Sequence, residues 1–242
     1  MSTDGSPQHA ASLLRGAAPA APVASAKLRV SLLAFGVFLG LCGIWLLAPE
    51  LLRPKAIGLA HDKTSAAAAA ALQPKAQLAA RIGAIRGDLW AEAAFADSNL
   101  MWADRANSAQ LERARSNAET ALAYAPINGE AWLFLAKLPN APSTDGGVAS
   151  LLEMSYFTAP NELSLADLRL ERAATSNALA DKDIQEFIKS DMRRILAYQP
   201  RLKPTIVAAY RNAWPQNQPL LEALAADVDP TFAQSLRSGS SK

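Results

Sequence analysis

Beyond His61 the chain has no histidine, and beyond Cys42 it has no cysteine. These two absences remove most of catalytic chemistry from the C-terminal two thirds. No thiol nucleophile, disulfide framework or zinc cluster is available there. No imidazole exists to activate a serine. A Gly-rich phosphate loop is also missing, since Gly146-Gly147 has no following Lys-Ser/Thr. Nor is there a G-x-S-x-G elbow or an EF-hand-like Asp/Asn ladder, so the sequence points to no cofactor and no metal. Aromatic residues make up 7% of the chain and β-branched residues are sparse, which weighs against β architecture. No alternating run reads as a strand. The formal net charge of +2 is too small to imply a nucleic-acid partner.

What the chain has instead is alanine, the strongest helix former, and one long apolar run. Val30 to Pro49 is free of charge over 20 residues. As a helix it extends about 30 Å, the hydrocarbon thickness of a bilayer. Lys27 and Arg29 flank one end, Glu50, Arg53 and Lys55 the other, and Trp45 falls near the second interface. A buried core helix would carry a polar stripe, and here Ser31 is the sole polar side chain. A cleavable signal peptide, with Ala60 as a cleavage position, has a shorter run and a shorter leader. The length therefore selects an uncleaved anchor over 27–52, with the span at 30–49. Basic residues tie at three on each side of the span. The pair Lys27 and Arg29 abutting it favours a cytoplasmic N-terminus and an exported, periplasmic C-terminal domain.

Residues 1–26 are rich in Ala, Ser, Pro and Gly without apolar periodicity and read as a disordered tail. Residues 53–74 read as a linker, although the alanine run Ala66–Ala71 also suits the start of a helix. From Lys75 to the C-terminus the pattern is helical. Expected helices cover 75–103, 108–125, 128–138, 147–158, 161–178, 181–198, 201–213, 217–226 and 229–237. Leu78, Ile82, Ile85, Leu89, Trp90 and Phe95 fall roughly at helical spacing on the first, and Leu111, Ala114, Ala118, Leu122 and Ala125 make a small, narrow face on the second. Ile184, Phe187, Ile188, Met192 and Ile195 make a clear stripe later on.

Three expected helices end in related words: Ala-Tyr-Ala-Pro126, Phe-Thr-Ala-Pro160 and Ala-Tyr-Gln-Pro200. The first two prolines are 34 residues apart, and Asn-containing starts follow both. Proline stops one helix and asparagine or glutamate opens the next. With Ala114 and Ala121 before Pro126, and Trp132 followed by Leu135-Ala136 after it, this stretch resembles the tetratricopeptide repeat family. Pro139 and Ala118 stand where that family places aromatics, and the interval from Pro160 to Pro200 is 40 residues. The resemblance implies an all-α domain of stacked antiparallel helix pairs, a tetratricopeptide-like solenoid, behind a single transmembrane helix. The order of this repeat, Met154-Ser-Tyr-Phe-Thr-Ala-Pro160 and then Asp191-Met-Arg-Arg-Ile-Leu-Ala-Tyr-Gln-Pro200 also resembles anchored bacterial proteins associated with surface-polysaccharide assembly. That likeness implies the bacterial inner membrane.

The expected role is a membrane-anchored, non-enzymatic scaffold that binds a protein partner, an accessory factor in cell-envelope or exopolysaccharide assembly. The candidate partner-binding group is basic: Lys189, Arg193, Arg194, Arg201, Lys203 and Arg211, interrupted by Asp191 alone. It suits an acidic partner, a lipid surface or an anionic polymer, and also suits a plain solvated face. The alternative function is a carboxylate-dependent glycan-active enzyme using Glu153 or Glu130. Trp90, Trp102, Trp132 and Trp214, with Tyr124, Tyr156, Tyr198 and Tyr210, either line a peptide groove or, for most, pack the core. An uncleaved anchor predicts that the intact full-length chain stays in the membrane pellet through alkaline carbonate extraction. Recovery of the intact chain in the supernatant contradicts it.

Overall fold

A computed structural model describes residues 26–53, 57–59, 63–103, 108–139 and 147–238. The N-terminal tail with His9, the positions Ala60, His61 and Asn107, and loop 140–146 lie outside the described residues. So do the side chains of Lys63, of the run Ala66–Ala70 and of Trp102. The chain forms two compact units, Met1–Ile44 and Trp45–Lys242.

Eleven α-helices are present among the described residues. The first, α1 (Ala26–Leu52), contains an 18-residue window of mean hydropathy 2.4 with none of it buried. By length and composition it is able to cross a membrane, as a single-pass anchor or as a signal sequence. The others are α2 (Lys63–Ile82), α3 (Gly87–Ala103), α4 (Ser108–Tyr124), α5 (Gly129–Lys137) and α6 (Gly147–Thr158), then α7 (Ala166–Ala174), α8 (Lys182–Tyr198), α9 (Lys203–Asn212), α10 (Gln218–Val228) and α11 (Pro230–Ser238). From α2 through α6 each helix packs on the next. Later, α7 packs chiefly on α9, α8 on α10, and α10 on α11.

Three stretches differ from the sequence reading. The alanine run belongs to α2, which starts at Lys63 and absorbs Pro74, so much of the expected linker is helical. Alanine supplies enough helix propensity to tolerate the one hydrogen bond that proline removes. The stretch 75–103 is two helices, broken where Gly83 closes α2 by donating to the Ala79 carbonyl at 2.8 Å. Within α2 the packed side is Ala76, Ala79 and Ala80, which leaves Leu78 exposed, and Ile85 falls in the turn after the break and is exposed too. Residues 161–178 are also shorter than expected as a helix: 3-10 turns flank α7 on both sides.

The rest of the apolar pattern packs as its spacing predicts. Ala114, Ala118, Ala121 and Leu122 of α4 are buried, as are Ile184, Ile188, Met192 and Ile195 of α8. The core has two main clusters. One gathers Phe95, Ala118 and Phe134, with the two phenylalanine rings edge-on at 5.5 Å. The other runs from Leu133 through Leu170 and Ile188 to Leu236. Helix α5 serves both, giving Ala131 and Phe134 to the first and Leu133 and Ala136 to the second.

A repeated turn governs the packing. Gly87 and Gly129 open α3 and α5, and each is followed three residues later by a tryptophan. Trp90 Nε1 donates to the Ala84 carbonyl at 2.9 Å, and Trp132 Nε1 to the Pro126 carbonyl at 2.8 Å. Asn128 caps α5, its side chain accepting from the Ala131 amide at 3.0 Å. Both glycines sit against the end of a later helix. A Cβ on Gly87 would lie 2.6 Å from the Ala121 carbonyl oxygen and from the Ala125 Cβ. One on Gly129 would lie 2.5 Å from the Ala159 Cβ and 3.0 Å from the Ser155 carbonyl oxygen. Further along, separations close to 34 residues recur between contacting groups. Lys137 meets Glu171 at 3.0 Å, and Arg194 Nη1 donates to the Pro160 carbonyl at 2.7 Å.

A second polar feature ties α2, α3 and α4. The buried Asp97 carboxylate accepts from Gln73 at 2.9 Å, Gln77 at 2.7 Å and Asn117 at 3.1 Å. Burial pushes its pKa up, opposed by these amides and by the charge of Arg113.

Replacing Gly87 by alanine gains up to about 1 kcal/mol of helix propensity. It forces backbone against backbone, an overpacking cost of roughly 1–3 kcal/mol. The clash wins. A fall in unfolding temperature of roughly 3–10 °C is expected for Gly87→Ala by circular dichroism. Gly43→Ala, whose Cβ meets nothing within 4 Å, leaves the midpoint unchanged.

Candidate functional site

Among the described residues a half-open cleft of about 560 Å³ lies between the turns. One wall is the start of α5, with Asn128, Gly129 and Glu130. The facing wall follows α6 and enters α7 through Ala159, Glu162, Ser164, Leu165 and Leu168. Gly58 and Leu59, just downstream of α1, close a third side. The repeated turn creates this space. Proline stops a helix twice, at Pro126 and Pro160, and the two turns are held side by side by the contact of Gly129 with Ala159.

A buried polar group beneath fixes both walls. Arg169 is fully buried and donates through Nη2 to the Ser155 carbonyl at 2.6 Å and to the Ala159 carbonyl at 3.0 Å. Its Nε donates to Ser155 Oγ at 3.0 Å, and that hydroxyl donates to the Gly129 carbonyl at 2.7 Å. The guanidinium also lies over the Tyr156 ring, 4.4 Å from its centre. Tyr156 in turn donates to Asp191 Oδ2 at 3.0 Å and stacks on Phe187 at 4.7 Å. Burial drives the Tyr156 hydroxyl well above its ordinary pKa, and Asp191 adds to this. Burial likewise raises Asp191, against the pull of Tyr156, Arg169 and Arg194. Burial lowers Arg169, while Tyr156 and Asp191 oppose that shift. None of these three residues lines the cleft. They act as its frame.

The cleft itself is mixed in character. Leu59, Ile127, Leu165 and Leu168 supply apolar surface, and Glu130 and Glu162 supply acidic groups. Glu130 Oε1 accepts from the Leu59 amide at 2.8 Å, so this carboxylate holds the segment downstream of α1 against the domain. Glu162 Oε1 accepts from Ser164 Oγ at 2.6 Å. The arrangement suits a short segment bearing an apolar side chain and a positive charge. Glu153, the other carboxylate considered for glycan chemistry, sits half-buried on α6 and does not line the cleft. No group of three His, Cys, Asp or Glu that could hold a metal occurs among the described residues.

The six basic candidates are placed unequally. Lys189 is half-buried and pairs with Glu186 at 2.5 Å and Asp227 at 3.9 Å. Arg194 donates to Pro160 and lies 3.7 Å from Asp191. Arg193, Arg201 and Arg211 are exposed and Lys203 is half-buried. Arg201 Nη2 reaches Gln199 at 3.5 Å. Two of the six are thus joined to carboxylates within the fold, on helices α8 and α10. Among the aromatics, Tyr156 is buried and Trp90, Trp132 and Tyr210 are half-buried, whereas Tyr124, Tyr198 and Trp214 are exposed.

Arg169 was not marked by the sequence, because nothing in its spacing sets it apart from a solvated helix arginine. The word Gly-Asp/Glu-x-Trp was there to be read at residues 87–90 and again at 129–132. It locates both turns and one cleft wall. No protein-family model, curated protein or solved structure matches this chain.

Removing the Tyr156 hydroxyl deprives a buried carboxylate of its donor, a loss of about 1–3 kcal/mol. Tyr156→Phe also raises the folded-state pKa of Asp191 further above its unfolded value. The cost of an ionised Asp191 is therefore full above that pKa and relieved as pH falls through it. Urea unfolding of the full-length chain in detergent should show the variant clearly weaker at pH 7, with the gap narrowing toward pH 5.

Proposed function

We propose that the chain is a membrane-anchored scaffold whose tetratricopeptide-like helix pairs stack and present the cleft to a protein partner. The observation that carries this reading is the recurrence of contacts between groups about 34 residues apart, the offset of Pro126 and Pro160. Helices that repeat at this interval and touch at this interval are stacked repeat units, and such stacks offer extended recognition surfaces. The apolar helix α1 is the anchor, uncleaved, in a bacterial inner membrane with the helical domain on the periplasmic side. In that setting the chain is an accessory factor of cell-envelope or exopolysaccharide assembly. Its role in this reading is non-catalytic, with Glu130 holding the Leu59 amide and Glu153 lying away from the cleft. The partner segment carries a basic group opposite Glu130 and Glu162.

The test is recovery of the full-length chain from its own membranes in mild detergent. A protein that co-purifies in fixed ratio with the wild type should be reduced at least tenfold by Glu162→Arg combined with Ser164→Trp. Both positions are exposed, so helix content and melting should stay unchanged. Equal recovery of every companion with the variant, or hydrolysis of cell-wall glycan by the purified chain, refutes the scaffold.

A further inference from the structure

We infer that the edge of the helical domain formed by the ends of α2, α4, α6 and α8 rests on the bilayer surface. Its exposed aliphatic and aromatic side chains sit among the lipid headgroups. The inference rests on the anchor reading of α1 and goes beyond it, since a tether alone leaves the domain free to stand away from the membrane.

The first link is where the apolar helix ends. Pro49, the last residue of the uncharged run, is buried, and a Cβ on Gly83 would stand 3.2 Å from its Cγ. Arg53 Nε donates to Glu92 at 3.0 and 3.1 Å, and Arg53 lies 3.4 Å from Asp88. Arg86 pairs with both Asp88 and Glu50. The Glu92 hydrogen bond holds Arg53 above its ordinary pKa against the effect of burial. At Asp88 burial acts upward, but the Arg86 hydrogen bond and the Arg86 and Arg53 charges outweigh it and keep this carboxyl low. The point where the chain leaves lipid is therefore fixed to the turn between α2 and α3. A bilayer reaching Pro49 lies beside that turn.

The remaining links connect this turn to the others. Gly87 abuts Ala121 and Ala125 at the end of α4. Gly129 abuts Ser155 and Ala159 at the end of α6. Arg194, at the end of α8, donates to the Pro160 carbonyl. The four helix ends thus form one edge, continuous with the exit point of α1.

That edge carries most of the large apolar side chains left in solvent. Past Pro49, the exposed members among the described residues are eight, and six lie here: Leu51, Ile85, Tyr124, Ile127, Phe157 and Tyr198. Ile127 is 78% exposed and Tyr198 81%, values that no core or pairwise packing explains. Trp214 lies on the opposite edge, where its amide bonds the Ala174 carbonyl at the end of α7. The exposed residues of that opposite edge at the start of α8 are Asp181, Lys182 and Asp183. Tyrosines flanked by cations are favoured at the lipid–water boundary, and exposed Arg201 follows Tyr198 by three residues. The cleft lies at the same edge, so a partner segment would enter it along the membrane surface.

The test uses the full-length chain in nanodiscs of phosphatidylcholine and phosphatidylglycerol, with a bimane fluorophore on a single cysteine. One sample is labelled at the native Cys42. The others carry Ile127→Cys, Tyr198→Cys or Lys182→Cys in a Cys42→Ser background. Brominated lipid should quench Cys42 and, at least twofold more than position 182, positions 127 and 198. Iodide should quench 182 more than either. If Cys42 is quenched while 127 and 198 behave like 182, the anchor stands and the seated edge is overturned. If Cys42 escapes brominated lipid, the anchor reading fails and this inference fails with it.

Discussion

Close approach between helix ends is the constraint from which the helical domain follows. Twice, at the starts of α3 and α5, a helix begins with its backbone almost in contact with the end of a later one. At Gly87 and Gly129 even a methyl group is too large. Small residues on the receiving side, Ala121, Ala125, Ser155 and Ala159, complete the fit. Tryptophans at positions 90 and 132 then lock the turn by donating back to a carbonyl six residues earlier. Packing this tight lets α4 bury alanines where bulkier side chains would ordinarily be needed. The contact area per residue is small, and interatomic proximity compensates for it.

Polar groups set the register that alanine cannot. Smooth small faces slide past one another at little cost, whereas a buried carboxylate or guanidinium tolerates only one arrangement of donors and acceptors. Asp97 fixes α2, α3 and α4 through three amides. Arg169 fixes α5, α6 and α7 through Ser155 and two carbonyls. The cost of burying these charges is real, and it is offset by three accepted hydrogen bonds at Asp97 and three donated ones at Arg169, whose Nη1 is left without a hydrogen-bond partner. The cleft inherits its shape from the second of these groups.

Much of the architecture was legible before any coordinate. The uncharged run gave α1, and the stripe from Ile184 to Ile195 gave α8. The proline words gave the ends of α4, α6 and α8, because proline acts locally and its effect does not depend on the fold. Other features were hidden for equally physical reasons. Scanning for large apolar residues favours Leu78 and Ile85 as core, yet the packed side of α2 is alanine. The break at Gly83 sits where Pro49 and Leu89 crowd the backbone, and no local pattern carries those contacts. The cleft joins residues 58, 130 and 162, brought together by stacking alone. Among the basic candidates, charge was readable but pairing was not, so Lys189 and Arg194 looked as free as Arg193.

Helix α5 has nine residues and belongs to two cores at once. Alternate positions along it, Ala131 and Phe134 against Leu133 and Ala136, face opposite neighbours. Mechanical load applied to the C-terminal helices reaches α2, α3 and α4 through this short rod. A tug strong enough to draw Phe134 from its seat beside Phe95 would part the molecule there, with α2, α3 and α4 still folded around Phe95 and the later helices still folded around Ile188.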